Sequence, residues 1–597
     1  MPGIVGFVST RISQENACSA LKKMQELITH KSFYVLDELF EKNQQIYATR
    51  AHTNIIQKNA QPFNYKGIYV WLDGEFYNQD EIMPNEVGLT DPEILARLYH
   101  QKNQPHFSFL KEIDGIFSAI IYDSKLQQIH LLTDRYGLRH LYWTKFNDCL
   151  IWSSEIKAFL AFPGFSPTID RQAVKEFFPI AHLLENRTWF EGVELVPSGT
   201  VLTWKIATNQ LISHQYWWWD QIKPFTGKID EQEVVEELGC LFSQAVERRT
   251  DKTEKIGLTL SGGLDSRATL AAMPDYGNPI HALTFGKLNC DDARFAKKAA
   301  EVKGATHHLF EINHENWLAP RLEGVWWTDG QLDILDMHSL IVFEKVRDFF
   351  HINLNAFAGD LILGGSYLKS VSEFDSPINE MNAAKRMRCN PRIISRNDME
   401  KYQSLKKQDY YSLQNHVRRF TFGGTKLFLT VTEQRKPFYD NRLIEYVYSL
   451  PDSLRFNSHI YKKMLLSRYP DFFQSIPWQK TGVPISSLKL IEKTVFFGKR
   501  VKNRVLREMP RFALQYNNPN NYTDYPNWIR QEPVRSFFTQ KLRSSSAIYP
   551  EYIDKNRVIK ELEYHLKGKD FSRNLCRYLT FELWLQQVFE GKYRMAD

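Results

Sequence analysis

The stretch IGLTL-SGGLD-SRATLAAM (256–273) passes from an apolar strand pattern through two glycines directly into a helical pattern. Such a turn leaves the helix's first N–H groups and positive dipole end at the strand's carboxyl edge. Glycine there lets the backbone come close to a ligand. HALTFG (281–286), DDARFAKKAAEVKG (291–304) and HHLFEI (307–312) continue the strand–helix alternation, which predicts a parallel α/β sheet. The turn suits an anion, most naturally a phosphate chain, but it is no Walker A loop, because no lysine follows the glycines. Asp265 beside bound phosphate is repulsive unless a cation lies between them. Mg²⁺ held by one or two carboxylates plus phosphate oxygens resolves that conflict. A second carboxylate, Asp360, stands in GDLILGG (359–365) after the strand-like NLNAFA (353–358), and Lys480 sits in the loop IPWQKTGVP (476–484). In α/β sheets, turns at the carboxyl ends of strands face one crevice.

The chain around this core has two characters. The first 200 or so residues are rich in short strand patterns: GIYVWLDGEF (67–76), FSAIIYD (117–123), QIHLLTD (128–134), LYWTKF (141–146) and CLIWSS (149–154). SPTIDRQAVKEFF (166–178) predicts a helix capped by Asp170, and residues 199–219 a hairpin turning near Thr208-Asn209-Gln210. At the very start, PGIVGF (2–7) predicts a buried strand where most chains are polar and frayed. DEQEVVEELGCLFSQAVERRT (230–250) is an amphipathic helix, and the pattern beyond about 370 is mostly helical. With 597 residues, more than one hydrophobic core is required, and the boundary falls near KPFTGK (223–228).

Charge and cysteine usage exclude several classes. A net charge of +7 is modest for this length. The basic runs KRMRCNPRIISR (385–396) and KRVKNRVLR (499–507) read as solvated helix faces, with an anionic partner as the alternative. No zinc-finger, helix-turn-helix or RNP signature supports nucleic acid. Six scattered cysteines fit reduced thiols, and no apolar run reaches membrane-spanning length. The expectation is a cytoplasmic protein with no integral membrane segment.

SGGLDSR (261–267), the segment 291–308, GDLILGG, RKPFYD (435–440) and the Lys480 loop resemble, in order, the synthetase half of the asparagine synthetase superfamily. PGIVGF, DGEFYN (73–78), TDPEIL (90–95), DGIFSAIIYD (114–123), DRYGLRHLYW (134–143), SSEIKAF (153–159) and PSGTVL (197–202) resemble its class II glutaminase domain. The resemblance implies an N-terminal αββα glutaminase-like sandwich over 1–215. It implies a PP-loop parallel α/β synthetase domain with a largely helical C-terminal part over 226–597. It implies ATP and Mg²⁺, an acyl-adenylate, and attack by an amine. Carried over, Ser261, Gly262, Gly263 and Ser266 cradle pyrophosphate, and Asp265 and Asp360 hold Mg²⁺. Leu258 and the Thr284-Phe285 strand end flank the nucleoside, Gly359 belongs to the nucleotide site, and Lys480 stabilises the α-phosphate and the developing oxyanion.

The departures are specific. Glutamine-hydrolysing members begin with a cysteine nucleophile, whereas this chain has Pro2; the glutamine-holding Asn is Asp73. The expectation is a domain that makes no ammonia, and a substrate that carries its own amine. The position three residues before Asp360 is Phe357, where the β-lactam branch has a tyrosine and asparagine synthetases a glutamate. Glu433 is then the candidate to help deprotonate the amine. The segment between Gly365 and RKPFYD is long and basic, which suits a larger substrate. Together these features point to a lasso-peptide cyclase. Such an enzyme joins an Asp or Glu side chain of a processed core peptide to the peptide's N-terminal amine, and works with a leader-recognition protein and a leader protease. The alternatives are a β-lactam-synthetase-like or ammonia-dependent asparagine-synthetase-like small-molecule enzyme, and a non-catalytic scaffold.

Overall fold

The first strand, Gly3–Val8, is buried along its whole length and lies inside a seven-stranded antiparallel sheet. It is flanked by Ile46–His52 on one side and Cys149–Ser153 on the other. Its alternation explains the burial. Ile4 and Val8 enter the core between two sheets, while Val5 and Phe7 face the core that includes Ala17, Leu21 and Met24 of the helix Gln14–Leu27. Gly6 stands opposite Trp152, and a Cβ there would come within 2.5 Å of the indole, so only glycine leaves room for that ring. The second sheet has six antiparallel strands, with Gly115–Asp123 and Ile68–Phe76 near its middle. The helix Asp91–Lys102 packs on its outer face, completing an αββα sandwich. The predicted hairpin is present as Thr200–Lys205 and Gln210–Gln215, with Asn209 in the left-handed region (φ 50°) at its turn. Asp170 caps Arg171–Ile180 by accepting from the N–H groups of Gln172 and Ala173. The computed structural model describes residues 2–9, 11–43, 45–86, 88–102, 107–374, 376, 378–487, 494–495, 497–498, 501 and 520–591. The basic run 499–507 therefore lies outside the described residues, apart from Val501.

The second sheet system is parallel throughout. Its five strands run in the spatial order Thr306–Glu311, His281–Gly286, Ile256–Thr259, Ile352–Leu354, Glu433–Arg435. In chain order this is 3-2-1-4-5. The chain reverses its direction of travel between Ile256–Thr259 and Ile352–Leu354, and a crevice opens at the carboxyl ends of those two strands. The predicted strand 353–358 is shorter than expected: pairing stops at Leu354. The Asn355 N–H makes a last bond to the Arg435 carbonyl (2.7 Å) while its side chain reaches Gln434 Oε1 (3.1 Å), and Ala358 then turns with φ 63° into the helix Gly359–Ile362. Late in the chain, the helix Ser572–Phe589 is buried nearly all round, because helices Ala319–Trp327, Val534–Arg543 and Lys555–Leu566 and the N-terminal region surround it.

The two halves are joined by buried ion pairs. Arg435 holds Glu75 through two contacts of 2.8 Å and also pairs with Glu254. Arg249 bridges Asp114 and Asp440, each at 3.0 Å. Lys157 meets Asp329 at 2.9 Å, and Arg139 lies between Asp73 (3.4 Å) and Glu433. The long basic segment between Gly365 and RKPFYD contributes to the same seam. Arg418 donates to the carbonyls of Gly137 and Val196, and Arg419 to those of Glu185 and Arg187, so part of its charge serves the interface.

Removing one member of a buried pair strands the other charge. Arg139→Ala, which takes the shared cation from both Asp73 and Glu433, is expected to lower stability by about 3–5 kcal/mol, read from the denaturation midpoint. Glu433→Gln, which still offers Arg139 an acceptor, loses less.

Candidate active site

Ser261 and Ser266 close the turn between strand and helix on itself: the two hydroxyl oxygens are 3.0 Å apart, and the Ser261 N–H donates to Ser266 Oγ at 3.1 Å. The helix Leu264–Ala272 starts immediately after Gly263 and directs its N-terminus along the crevice. Beneath the turn, the Arg267 guanidinium is buried. It donates to the carbonyls of Gly263 (2.9 Å) and Ile476 (3.2 Å), and burial pulls its pKa down to about 10. A cavity of about 430 Å³ opens above, lined by Ser261, Gly263, Asp265, Ser266, Thr284 and Phe285 among others. Six residues expected to contact nucleotide thus share one wall. Leu258 does not: its side chain is fully buried in the core, and Thr259 and Leu260 line the cavity in its place. Along a strand, only the last residues reach the edge where the ligand lies.

Asp265 and Asp360 face each other across the crevice. Asp265 Oδ2 accepts the Asp360 backbone N–H at 2.7 Å, and Oδ1 accepts the Tyr461 hydroxyl at 2.9 Å. Gly359 permits this approach, since a Cβ there would lie 2.7 Å from the Asp265 carboxyl carbon. Burial, and then the nearby Asp360 carboxylate, push the Asp265 pKa up to about 8. Asp360 opens to solvent on one side, but the protein crowding its other sides also pushes its carboxyl up, against the opposing pull of Ser366 and Lys480. Two carboxylates held together with no cationic side chain between them among the described residues fit a divalent cation whose remaining ligands would come from a phosphate chain.

The Lys480 loop is fastened to the glycine turn by its neighbour. Gln479 donates from its backbone to the Gly262 carbonyl (3.2 Å) and from its side chain to Asp292 Oδ2 (3.0 Å). Asp292 Oδ1 in turn accepts the Gly262 N–H at 2.9 Å. Lys480 itself is exposed, with its ammonium 5.1 Å above the Trp478 ring and close enough to Asp360 to act on its charge. Asp292, Gln479 and Tyr461 were not singled out from the sequence. The doubled aspartate opening DDARF was the one available signal, whereas the other two act across long separations.

Glu433 is not brought to this cleft. It begins its strand, level with Ile352, whereas the nucleotide turn lies beyond the opposite ends of the strands. It is buried at the seam, bound by Arg139 and within 3.5 Å of the Thr53 hydroxyl, and burial raises its pKa to about 6. Its work is to tie the halves together. Phe357 is buried too, stacked on Tyr439 with centroids 5.4 Å apart.

In the N-terminal sandwich, Pro2 is buried and offers no nucleophile; Ser154 Oγ nearby accepts the Ile4 N–H at 2.9 Å. Asp73 is drawn towards Arg139, and Arg50 is spent on Asp37 (2.7 Å) and the Asn59 carbonyl (2.9 Å). Asp91 receives Gln57, Gln79 and the Phe76 N–H, and its burial raises its pKa to about 7. These polar groups are satisfied from within the chain.

A sandwich of this kind, followed by a glycine turn and paired aspartates at the switch point of a parallel sheet, defines an ATP-dependent C–N ligase. Residues 1–217 match the glutamine amidotransferase domain family and residues 237–421 the asparagine synthase family, and the chain belongs to the asparagine synthetase superfamily. It is 24% identical to asparagine synthetase [glutamine-hydrolyzing] 2 of Bacillus subtilis, over 76% of this chain and 67% of that protein. Asparagine synthetase [glutamine-hydrolyzing] 3 of the same organism is 24% identical over 72% of this chain and 79% of its own length. Amidase chry2 of Gibberella zeae is 26% identical over 55% of this chain, which spans about half of that protein (52%). No helix among the described residues is long and apolar enough to cross a membrane.

The raised Asp265 pKa sets a pH dependence. The folded protein keeps this proton up to about pH 8, whereas the unfolded chain releases it near the ordinary value of 3.8. The folded state therefore holds the extra proton in between, and metal-free stability falls as pH rises through that window. Asp265→Asn is expected to flatten the fall and to raise the metal-free melting temperature at pH 8 while abolishing activity, as measured by thermal scans across pH.

Proposed function

We propose that the protein is a lasso-peptide cyclase. It adenylates an Asp or Glu side chain of a processed core peptide and closes a macrolactam with the peptide's own N-terminal amine. The observation that carries this reading is a contrast between the halves. In the sandwich, Pro2 replaces a nucleophile and Asp73 leans on Arg139, so ammonia has no source there. In the synthetase half, the glycine turn, the aspartate pair and the Lys480 loop stand assembled. A relic kept only as a scaffold has no need of that assembly.

ATP binds as co-substrate along the Ser261–Ser266 turn, with Thr284 and Phe285 at the nucleoside end. Asp265 and Asp360 hold Mg²⁺, which when bound neutralises the phosphate chain. Asp265 is aimed by Tyr461, and Gln479 holds the Lys480 loop over the turn so that the ammonium meets charge developing on the α-phosphate and the carbonyl oxygen. The segment between Gly365 and RKPFYD is fixed to the sandwich through Arg418 and Arg419, and exposed Lys369 lies close enough to exposed Arg388 and Lys480 for their charges to act on it. A peptide chain is large enough to use such a surface. A leader-recognition protein and a leader protease are the implied partners.

Incubation with ATP, Mg²⁺ and synthetic core peptides bearing a free N-terminus and one internal Asp or Glu is expected to yield a product one water lighter, with release of AMP. Glutamine is expected to give no ammonia above a heat-killed control. AMP release driven by free aspartate and ammonium, or by a β-amino acid, with no peptide dehydrated, would favour the small-molecule reading instead.

A further inference from the structure

We infer that the Tyr522 hydroxyl binds the ribose of ATP, donating its hydrogen to one of the two ribose hydroxyl oxygens. The inference rests on nucleotide binding at the glycine turn and is independent of which amide the enzyme makes.

Tyr522 comes from a stretch far along the chain that is stitched across the carboxyl end of the strand His281–Gly286. The Lys287 N–H donates to the Tyr522 carbonyl at 2.8 Å, and the Asp291 N–H to the Asn520 carbonyl at 3.2 Å. Gly286 permits this approach, since a Cβ there would lie 3.0 Å from that of Tyr522. The half-buried tyrosine lines the same cavity as Ser261, Gly263, Thr284 and Phe285. Asp292 and Gln479, which brace the glycine turn, line that cavity too, and the Asp292 charge acts on the phenol. A nucleotide with its phosphates along the turn and its base at Thr284 and Phe285 lays its ribose between the two. Tyr522 stands there.

Its hydroxyl is prepared by a chain of hydrogen bonds whose direction is fixed at the far end. Arg321, buried on the helix Ala319–Trp327, can only donate, and it gives one hydrogen to Tyr525 Oη at 2.7 Å. The Tyr525 hydroxyl must send its own hydrogen elsewhere. Among the described residues its one remaining partner is His338 Nδ1, also at 2.7 Å. With Nδ1 accepting, a neutral His338 carries its hydrogen on Nε2, which donates to Tyr522 Oη at 3.0 Å. Burial, and then the charges of Arg321 and Arg573, hold the imidazole well below its usual pKa, so the ring is neutral. The Tyr522 oxygen thus accepts from His338, and its own hydrogen has no protein acceptor among the described residues. His338 lines the nucleotide cavity and not the neighbouring one beside Asp336 and Arg573, so the hydroxyl that meets it lies on the nucleotide side. A donor held ready in this way gives a ribose oxygen one hydrogen bond at little cost in ordering.

Calorimetric titration of the full chain, in Mg²⁺, with ATP, 2′-deoxy-ATP or 3′-deoxy-ATP reads binding without any acceptor substrate. The unsubstituted protein is expected to bind one of the two deoxynucleotides about three- to tenfold more weakly than ATP, the worth of one neutral hydrogen bond. The weakened nucleotide names the oxygen. Tyr522→Phe is expected to bind ATP more weakly by the same factor while binding that deoxynucleotide as before, so the preference disappears. Tyr525→Phe leaves Tyr522 in place but frees His338 to change tautomer, and is expected to lose part of the same preference with the other deoxynucleotide still bound like ATP. Equal affinity of the unsubstituted protein for all three nucleotides, or a preference that Tyr522→Phe retains, would overturn the inference; a full preference in Tyr525→Phe would overturn the relay. Absence of ATP binding to the unsubstituted protein would overturn the nucleotide site itself. Tyr522-dependent preference in a protein that dehydrates no peptide would uphold this inference and remove the cyclase reading alone.

Discussion

The Arg435 guanidinium, buried between Glu75 of the sandwich and Glu254 of the synthetase half, is the contact on which the arrangement turns. It belongs to the last strand of the parallel sheet, two residues beyond Glu433, which reaches Arg139. Two adjacent alternate positions of one short strand thus grip the N-terminal region. Taking these charges out of water is costly, and the cost is offset only while both halves stay in register. The strand ends that present Asp360 and the nucleotide turn are therefore referenced to the sandwich as much as to their own sheet.

This ties the two departures in the sandwich to each other. An amide at position 73 would be free to hold a ligand; a carboxylate there gives Arg139 a second anion besides Glu433. Arg50 and Asp91 are satisfied by Asp37, Gln57 and Gln79 in the same way. Arg50 and Asp91 thus find their partners inside the chain, as buried charges without a guest require. Loss of chemistry and gain of cohesion occupy the same residues.

Much of this was legible in the chain. Strands such as Ile68–Phe76 and Gly115–Asp123 declare themselves through β-branched and aromatic alternation, and Asp170 through its capping position. SGGLDS and GDLILGG pointed to the strand ends that the fold brings together, because glycine and carboxylate chemistry at strand ends is local. Glu433 misled for a physical reason: its neighbours form a recognisable run, but a run does not say which end of a strand faces the ligand. Leu258 failed similarly, by two residues along its strand. Tyr461 and Gln479 act through contacts 196 and 217 positions apart, for which no local pattern exists.

The helix Ser572–Phe589 carries a consequence for how such a chain is made. Phe581 packs on Phe178 and Trp189, Trp584 stacks on Phe190, and Arg577 bonds the Phe178 carbonyl across 399 positions. On the ribosome, at roughly 5–20 residues per second, that aromatic face waits some tens of seconds for its cover. During that interval the nascent sandwich leaves phenylalanine and tryptophan rings uncovered, and a chain cut short before residue 572 would leave them uncovered permanently. The helix that closes the architecture thus sets how long the sandwich stays uncovered during synthesis.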